Sequence, residues 1–266
     1  MVKPGTPRRR RSRYGVARMT ATDSPGGPPA PEISVVVPAH NEEAYLEAAV
    51  TGVVEGLRAR GRRFEVVVAE NGSTDATGDV ADRLAAAHPE VRVLRSAVPD
   101  YGTALRAGFE AATGEMVVNF DVDLVDLGFL DRSVAIMEGG DAAVVVGSKR
   151  SEGAEDERGL GRKVVTGVFA AVLHHGFGLR ASDTHGLKLL RRRPLVEVVS
   201  ACRFGADIFD TELVLRAERA GLAVLEIPVA VADQRPPRTP IVRRIPRTLL
   251  GLARLRRVLW AEARHH

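Results

Sequence analysis

The sequence predicts an α/β domain with a mostly parallel central sheet and helices on both faces, built as a single unit. Three observations carry this. From Glu32 onward, short β-branched runs alternate with stretches of helical period. The runs are apolar throughout, as strands covered on both faces must be. Polar and acidic clusters directly follow several of them, where the ligand-binding edge of such a sheet lies.

Taken in order, Ile33 to Val37 is the first strand and Glu42 to Arg60 an amphipathic helix. Phe64 to Ala69 is the second strand, with a helix from Asp75 to His88. Val91 to Leu94 and a helix from Thr103 to Ala112 follow, then strands at Glu115 to Phe120 and Ala143 to Gly147. The second half is less regular. Ser151 to Gly161 is polar and Gly-rich, which reads as a loop; Arg162 to Leu173 reads as a helix and Gly186 to Leu190 as a short strand. A helix at Ile208 to Ala220 and a strand at Leu222 to Val231 complete the domain, closed by Pro236-Pro237.

Charge divides the chain in the same places. The 266 residues carry 38 Lys plus Arg against 34 Asp plus Glu. Residues 1–31 net +6, residues 235–266 net +8, and the stretch 32–234 nets −10. The expected organisation is therefore a disordered basic tail (1–31), a catalytic-sized domain (32–234) and a basic amphipathic C-terminal helix (235–266). An acidic body with only 5 % aromatic residues argues against a nucleic-acid partner. The single cysteine, Cys202, excludes an intramolecular disulfide and a Cys-based zinc cluster, and suits a reducing compartment. No apolar run approaches the roughly 20 residues that span a bilayer. The expected location is cytoplasmic, with peripheral attachment at the inner membrane face left open.

The chemistry concentrates at three strand ends: Pro38-Ala39-His40-Asn41-Glu42-Glu43, Glu70-Asn71-Gly72-Ser73-Thr74-Asp75 and Asp121-Val122-Asp123. Ser73, Thr74 and Asp75 would also serve as ordinary helix caps. The Asp121/Asp123 pair is the sharpest signal. Alternate residues of an extended segment point the same way, so both carboxylates can face one site. A divalent cation with oxygen ligands relieves their repulsion and can bridge diphosphate oxygens. His174-His175 and His265-His266 lack a third ligand nearby and are not read as metal sites.

In order and spacing, VVVPAHNEE (35–43), ENGSTD (70–75), YGTALRAGFEAATGE (101–115), FDVD (120–123), GSKR (147–150), SDTHGLKLLRR (182–192) and FDTELVLRAERAGLAVLEIPV (209–229) resemble glycosyltransferase family 2, which has the GT-A fold. Within that group the chain is most similar to polyprenyl-phosphate (dolichol-phosphate) hexose synthases. The resemblance implies a nucleotide-sugar donor of the GDP-mannose or UDP-glucose type, Mg or Mn as cofactor, and inversion at the anomeric carbon. Pro38, Ala39, Glu42, Glu70, Asn71 and Arg106 would then line the nucleotide site, with Glu70 and Asn71 where relatives carry acids. Asp121 and Asp123 would hold the metal and diphosphate. Lys149, Arg150, Arg162, Asp183 and Arg235 would face the acceptor, and Asp210 and Glu212 match the acidic pair that supplies a base in relatives that glycosylate hydroxyls. Glu212 could instead pair with Arg216 four residues on. Two positions after Asp123, where relatives often carry a polar residue, stands Val125; Asp126 is a substitute ligand in reach.

The acceptor decides the mechanism. A hydroxyl needs a base within hydrogen-bond reach, whereas a phosphate monoester, with a second pKa near ~6, is already largely dianionic. A polyprenyl phosphate is the leading expectation; a hydroxyl acceptor and a non-catalytic nucleotide-sugar-binding protein are the alternatives. Finally, Ile241, Ile245, Leu249, Leu252, Leu255 and Leu259 form one apolar stripe, with Arg243, Arg247, Arg254 and Arg257 opposite and Trp260 near the end. This helix, expected to begin near Pro246, either docks on the domain, lies at a membrane surface, or does both in part.

Overall fold

The computed structural model describes residues 29–149, 160–205, 208–230 and 241–264, with the side chains of 160–164 and 241–244 left out. Seven strands form one sheet: β1 (Ile33–Ala39), β2 (Phe64–Asn71), β3 (Val91–Ser96), β4 (Met116–Asn119), β5 (Val144–Ser148), β6 (Lys188–Arg191) and β7 (Val224–Pro228). Their order is β3-β2-β1-β4-β6-β5-β7. All neighbours pair parallel except β6, which runs antiparallel to both β4 and β5. The antiparallel strand was not foreseen; nothing in the run Leu187 to Leu190 encodes direction.

Residue alternation along β1 distributes the core. Val35 and Val37 face a layer made by α1 (Leu46–Ala59), α2 (Thr77–Ala87) and α4 (Leu127–Glu138). Val36 faces the other layer, made by α3 (Tyr101–Ala111), α5 (Leu160–Phe177), α6 (Arg192–Ala201), α7 (Phe209–Arg219) and α8 (Ile241–Ala263). Helix α1 shows why these segments are helical: Leu46, Val50, Val53, Val54 and Leu57 recur at three- and four-residue spacing and are fully buried. Each such side chain contributes roughly 1.5–3 kcal/mol by leaving water. Helix α3 lies so close to β1 that a Cβ on Gly108 would sit 2.2 Å from Val36 Cγ1. Only glycine fits there.

Two helices lie where no helix was expected. Helix α4 starts on Asp126, whose carboxylate accepts from Phe129 N at 2.7 Å. Helix α6 follows β6 without a break at Arg191-Arg192. Helix α8 begins at Ile241 and carries Pro246 inside it, so Pro246 does not mark its start. The side chain of Pro246 is exposed, and its nitrogen gives no hydrogen bond to the carbonyl four residues back.

Candidate active site

Strand β1 lies between β2 and β4, so the strand order reverses between β1 and β4. The edge beyond the carboxyl ends of these two strands is where sheets of this kind bind ligands in a crevice. The segments after β1 and β2 form its first wall by bonding to each other. Asn41, with a left-handed φ of 55°, receives Thr74 N on its side-chain oxygen at 2.8 Å and gives its own N–H to Ser73 Oγ at 3.1 Å. Glu42 N donates to Thr77 Oγ1 at 2.6 Å, and His40 Nδ1 to Asn71 O at 2.9 Å. Asn71 is a hub: its amide donates to Ala39 O at 2.9 Å and accepts from Asp100 N at 3.2 Å. Buried Glu70 accepts from Ser73 N at 2.7 Å. Pro38, Ala39, Glu42, Glu70 and Asn71 are thus brought to one edge, with Asn71 bonded to backbone on both sides of its amide. Ser73 and Thr74 bond across to Asn41 rather than capping α2, whose N-cap is Ala76; Asp75 accepts from Thr77 N at 3.0 Å.

The second wall is a cluster of acids. Asp121 and Asp123 sit on a tight turn, with Leu124 N donating to Asp121 O at 2.9 Å and a lone bridge between those residues. This corrects the extended geometry expected for the pair: β4 ends at Asn119, and the turn at 121–124 rather than strand alternation sets the two carboxylates. Asp121 accepts from the Tyr101 hydroxyl at 2.9 Å. Burial raises the Asp121 pKa; the Tyr101 bond opposes this, and the nearby Asp210 and Asp123 charges add to it. Burial and the same carboxylates push the Tyr101 hydroxyl well above its usual value. Asp210, on the first turn of α7, pairs with Lys188 Nζ at 2.7 Å, both almost fully buried. Lys188 also donates to Gly186 O at 2.8 Å, a carbonyl shared with Asn119 Nδ2 at 3.3 Å.

The remaining expected residues divide. Asp183 is buried on the loop before β6; its Oδ1 accepts from His185 N at 3.0 Å while its Oδ2 has no partner among the described residues. Glu226 on β7 holds that loop by accepting from Ser182 N, Ser182 Oγ and Asp183 N. Lys149 lies at the end of β5 with Nζ beside Gly186. Glu212 is 0 % exposed and accepts from Arg203 N, Phe204 N and Arg216 Nε at 2.8–2.9 Å. It pairs with Arg216, the alternative the spacing offered, and does not reach the crevice as a free base. Arg106 is likewise turned aside: it donates to Glu110 and, at 2.7 Å, to Cys202 O, tying α3 to α6. Asp126 caps α4 through its Oδ1. Arg150 and Arg235 lie outside the described residues, as does the side chain of Arg162.

Tyr101 and Lys188 escaped the sequence reading. Lys188 had a signal: a lone cation inside the apolar run Leu187 to Leu190 must find a buried anion. Tyr101, the first residue of a helix, had none.

Among the described residues, no three His, Cys, Asp or Glu side chains converge as a metal cage. The donor set fits Mg or Mn in another way: such ions take one or two carboxylates and complete their shell with substrate phosphates and water. The carboxylates of Asp121, Asp123 and Asp210 lie close enough to disfavour ionisation of Asp121, with Lys188 opposing them, and added positive charge would relieve the cluster.

Fold and site together define a GT-A sheet with an acidic, nucleotide-type crevice. The glycosyl transferase family 2 model matches residues 34–198, and the chain belongs to that family. It is 34 % identical over 227 residues to the glycosyltransferase AglD of Haloferax volcanii, covering 80 % of this chain and 35 % of that protein. It is 26 % identical to a dolichyl-phosphate β-glucosyltransferase of Trichomonas vaginalis, covering 74 % and 64 %. The chain thus spans about a third and about two thirds of the length of these two relatives. A solved structure of glucosyl-3-phosphoglycerate synthase from Mycobacterium tuberculosis, in complex with Mn2+, UDP and phosphoglyceric acid, superimposes with a TM-score of 0.61 at 26 % identity, covering 83 % of this chain and 78 % of that one.

Proposed function

We propose that this chain transfers a hexose from a nucleoside-diphosphate sugar to a polyprenyl phosphate, with inversion and with Mg or Mn. The observation that carries the reading is the acid cluster at the β1/β4 crevice: Asp121 and Asp123 on one turn, fixed by Tyr101. The Mn2+ and UDP in the Mycobacterium neighbour support the donor and the metal. Asp121 and Asp123 would hold the cation, which offsets charge on the departing diphosphate. Pro38, Ala39, Glu42, Glu70 and Asn71 form the wall against which the nucleoside rests. Their loop-to-loop bonds fix that wall before the donor arrives, so little ordering remains to oppose binding.

Two features support a phosphate acceptor. Both acids in the position of a general base are taken up: Asp210 by Lys188, and Glu212 by Arg216 and two backbone amides. A dianionic phosphate needs no base, only cations to position it, and Lys149 with Arg150, Arg162 and Arg235 would supply these. The dolichyl-phosphate glucosyltransferase among the relatives supports the same acceptor class. A hydroxyl acceptor is the second reading, favoured by one observation, the Oδ2 of buried Asp183, which has no partner among the described residues. The test is a donor screen with purified protein, Mn2+ and a short polyprenyl phosphate, read by mass spectrometry. Metal-dependent lipid-phosphate hexose, absent with Asp123→Ala, is expected. Transfer only to a hydroxyl compound, lost in Asp183→Asn, would overturn the lipid acceptor. No transfer and no donor hydrolysis would leave a binding protein.

A further inference from the structure

The apolar stripe of α8 is divided. Leu252, Leu255 and Leu259 are buried in the core beneath the helix, yet Leu249 is 53 % exposed, Leu250 52 % and Ile245 37 %. The crossing point is fixed at Gly251, where a Cβ would come within 2.5 Å of Ile208, just before α7. Eleven residues on, Glu262 pairs with Arg216 of α7 and with Arg203. Residues 245–250, about 9 Å of helix, come before that contact with Ile208. Ile208 immediately precedes the first turn of α7, which carries Asp210.

The exposed face also changes character along its length. Ile245, Pro246, Leu249, Leu250 and Ala253 are exposed in its first half, flanked by exposed Arg247 and Arg254; Arg256, Arg257, Trp260 and Arg264 are exposed in its second. Trp260 is 60 % exposed with the Arg264 guanidinium 3.6 Å from its ring. Between this second half and the end of α5 runs an apolar groove of about 590 Å³, rimmed by Arg219, Arg256 and Arg257. The one acid of α8, Glu262, is turned into the body by Arg216 and Arg203.

We propose that this face of α8 is a docking surface for an anionic bilayer. The apolar tip enters the acyl boundary, while the Trp and Arg collar stays at headgroup level. That division matches the chemistry of each half: aliphatic side chains gain by leaving water, Trp prefers the membrane–water interface, and each Arg near anionic lipid adds on the order of one kcal/mol of attraction. A protein partner would equally cover Leu249 and Leu250, but it would not explain an acid-free face of arginines. The surface deepens the lipid-acceptor reading and rests on it for its purpose, by bringing the crevice to the plane where such an acceptor is held.

The test is cosedimentation of the full chain with vesicles of phosphatidylcholine alone or with 30 % phosphatidylglycerol. Binding to the anionic vesicles, at least tenfold weaker in Leu249→Glu/Leu250→Glu with unchanged melting temperature, is expected. Arg256→Gln/Arg257→Gln should weaken binding and flatten its dependence on salt. Equal binding by wild type and the Leu double variant, no binding at all, or a wild-type dimer lost in that variant would overturn the proposal. Transfer to a detergent-dispersed short polyprenyl phosphate should survive in the Leu double variant. Vesicle binding without any such transfer by wild type would sink the acceptor reading while supporting this surface.

Discussion

In the β3-β2-β1-β4 half of the sheet, neutral bonds join the loops at the crevice: Asn71 to Ala39 O, Thr74 N to Asn41, Glu42 N to Thr77, while the acids there, Glu70 and Asp121, accept from Ser73 N and the Tyr101 hydroxyl rather than from a cation. In the β6-β5-β7 half the local structure is held by ions: buried Lys188 with Asp210, buried Glu212 with Arg216 behind the crevice, and partly buried Glu226 on the Ser182-Asp183 backbone. The first kind loses about 1 kcal/mol per bond removed. The second loses several kcal/mol when one partner goes, because the other is left charged and dry. The β3-β2-β1-β4 half is therefore tolerant and the β6-β5-β7 half brittle.

The comparison is sharpened first by chemistry, where the largest effect is expected. Asp123→Ala should lower transfer by about a thousandfold or more, the several kcal/mol that lost metal assistance represents, and chelation of the wild type should match it in a mass-spectrometric rate assay. Next comes the brittle half. Lys188→Met should cost about 3–5 kcal/mol in urea unfolding; adding Asp210→Leu should recover most of it while transfer stays low. A double variant no more stable than the single one would break the distinction between the halves. Glu212→Gln should cost about 1.5–3 kcal/mol by weakening bonds to a charged acceptor, with donor affinity by calorimetry unchanged.

Asp121 makes a pH prediction of opposite sign to an ordinary paired carboxylate. Burial raises its pKa, so ionising it weakens the metal-free fold, and the penalty grows as pH rises from the usual carboxylate range through the raised value. Thermal melts in EDTA should find Asp121→Asn more stable than wild type at neutral pH, with the gap closing on acidification. The smallest effect belongs to Arg106→Ala: its guanidinium is partly exposed and bonded to Glu110 and a carbonyl, so stability should fall by about 1 kcal/mol or less and the donor KM should hold.

What could be read beforehand follows the same division. The β1 and β2 runs are apolar and long, and the polar clusters that end them are local in sequence, so strands and wall residues were legible together. The turn at 121–124 was not, because D-x-D is compatible with both strand and turn. Direction of β6 was not, because pairing is a long-range choice that four residues do not encode. Glu212 and Asp210 read as reactive acids because exposure cannot be inferred from an i,i+2 pair on a helix start; their buried partners, Lys188 from β6 and the Arg203-Phe204 backbone, arrive from elsewhere in the fold. Helix α4 was missed although Asp126 marks its start, the capping role being masked by a possible role as a ligand.

Cys202 has a practical consequence. It is the single cysteine of the chain, 1 % exposed, and burial together with the Glu212 charge pushes its thiol far up. A thiol that is neither reachable nor ionised does not react with maleimides or mild oxidants. The native chain is therefore a silent background for thiol labelling, and a fluorophore on a cysteine installed at position 249 would report its surroundings with no competing signal.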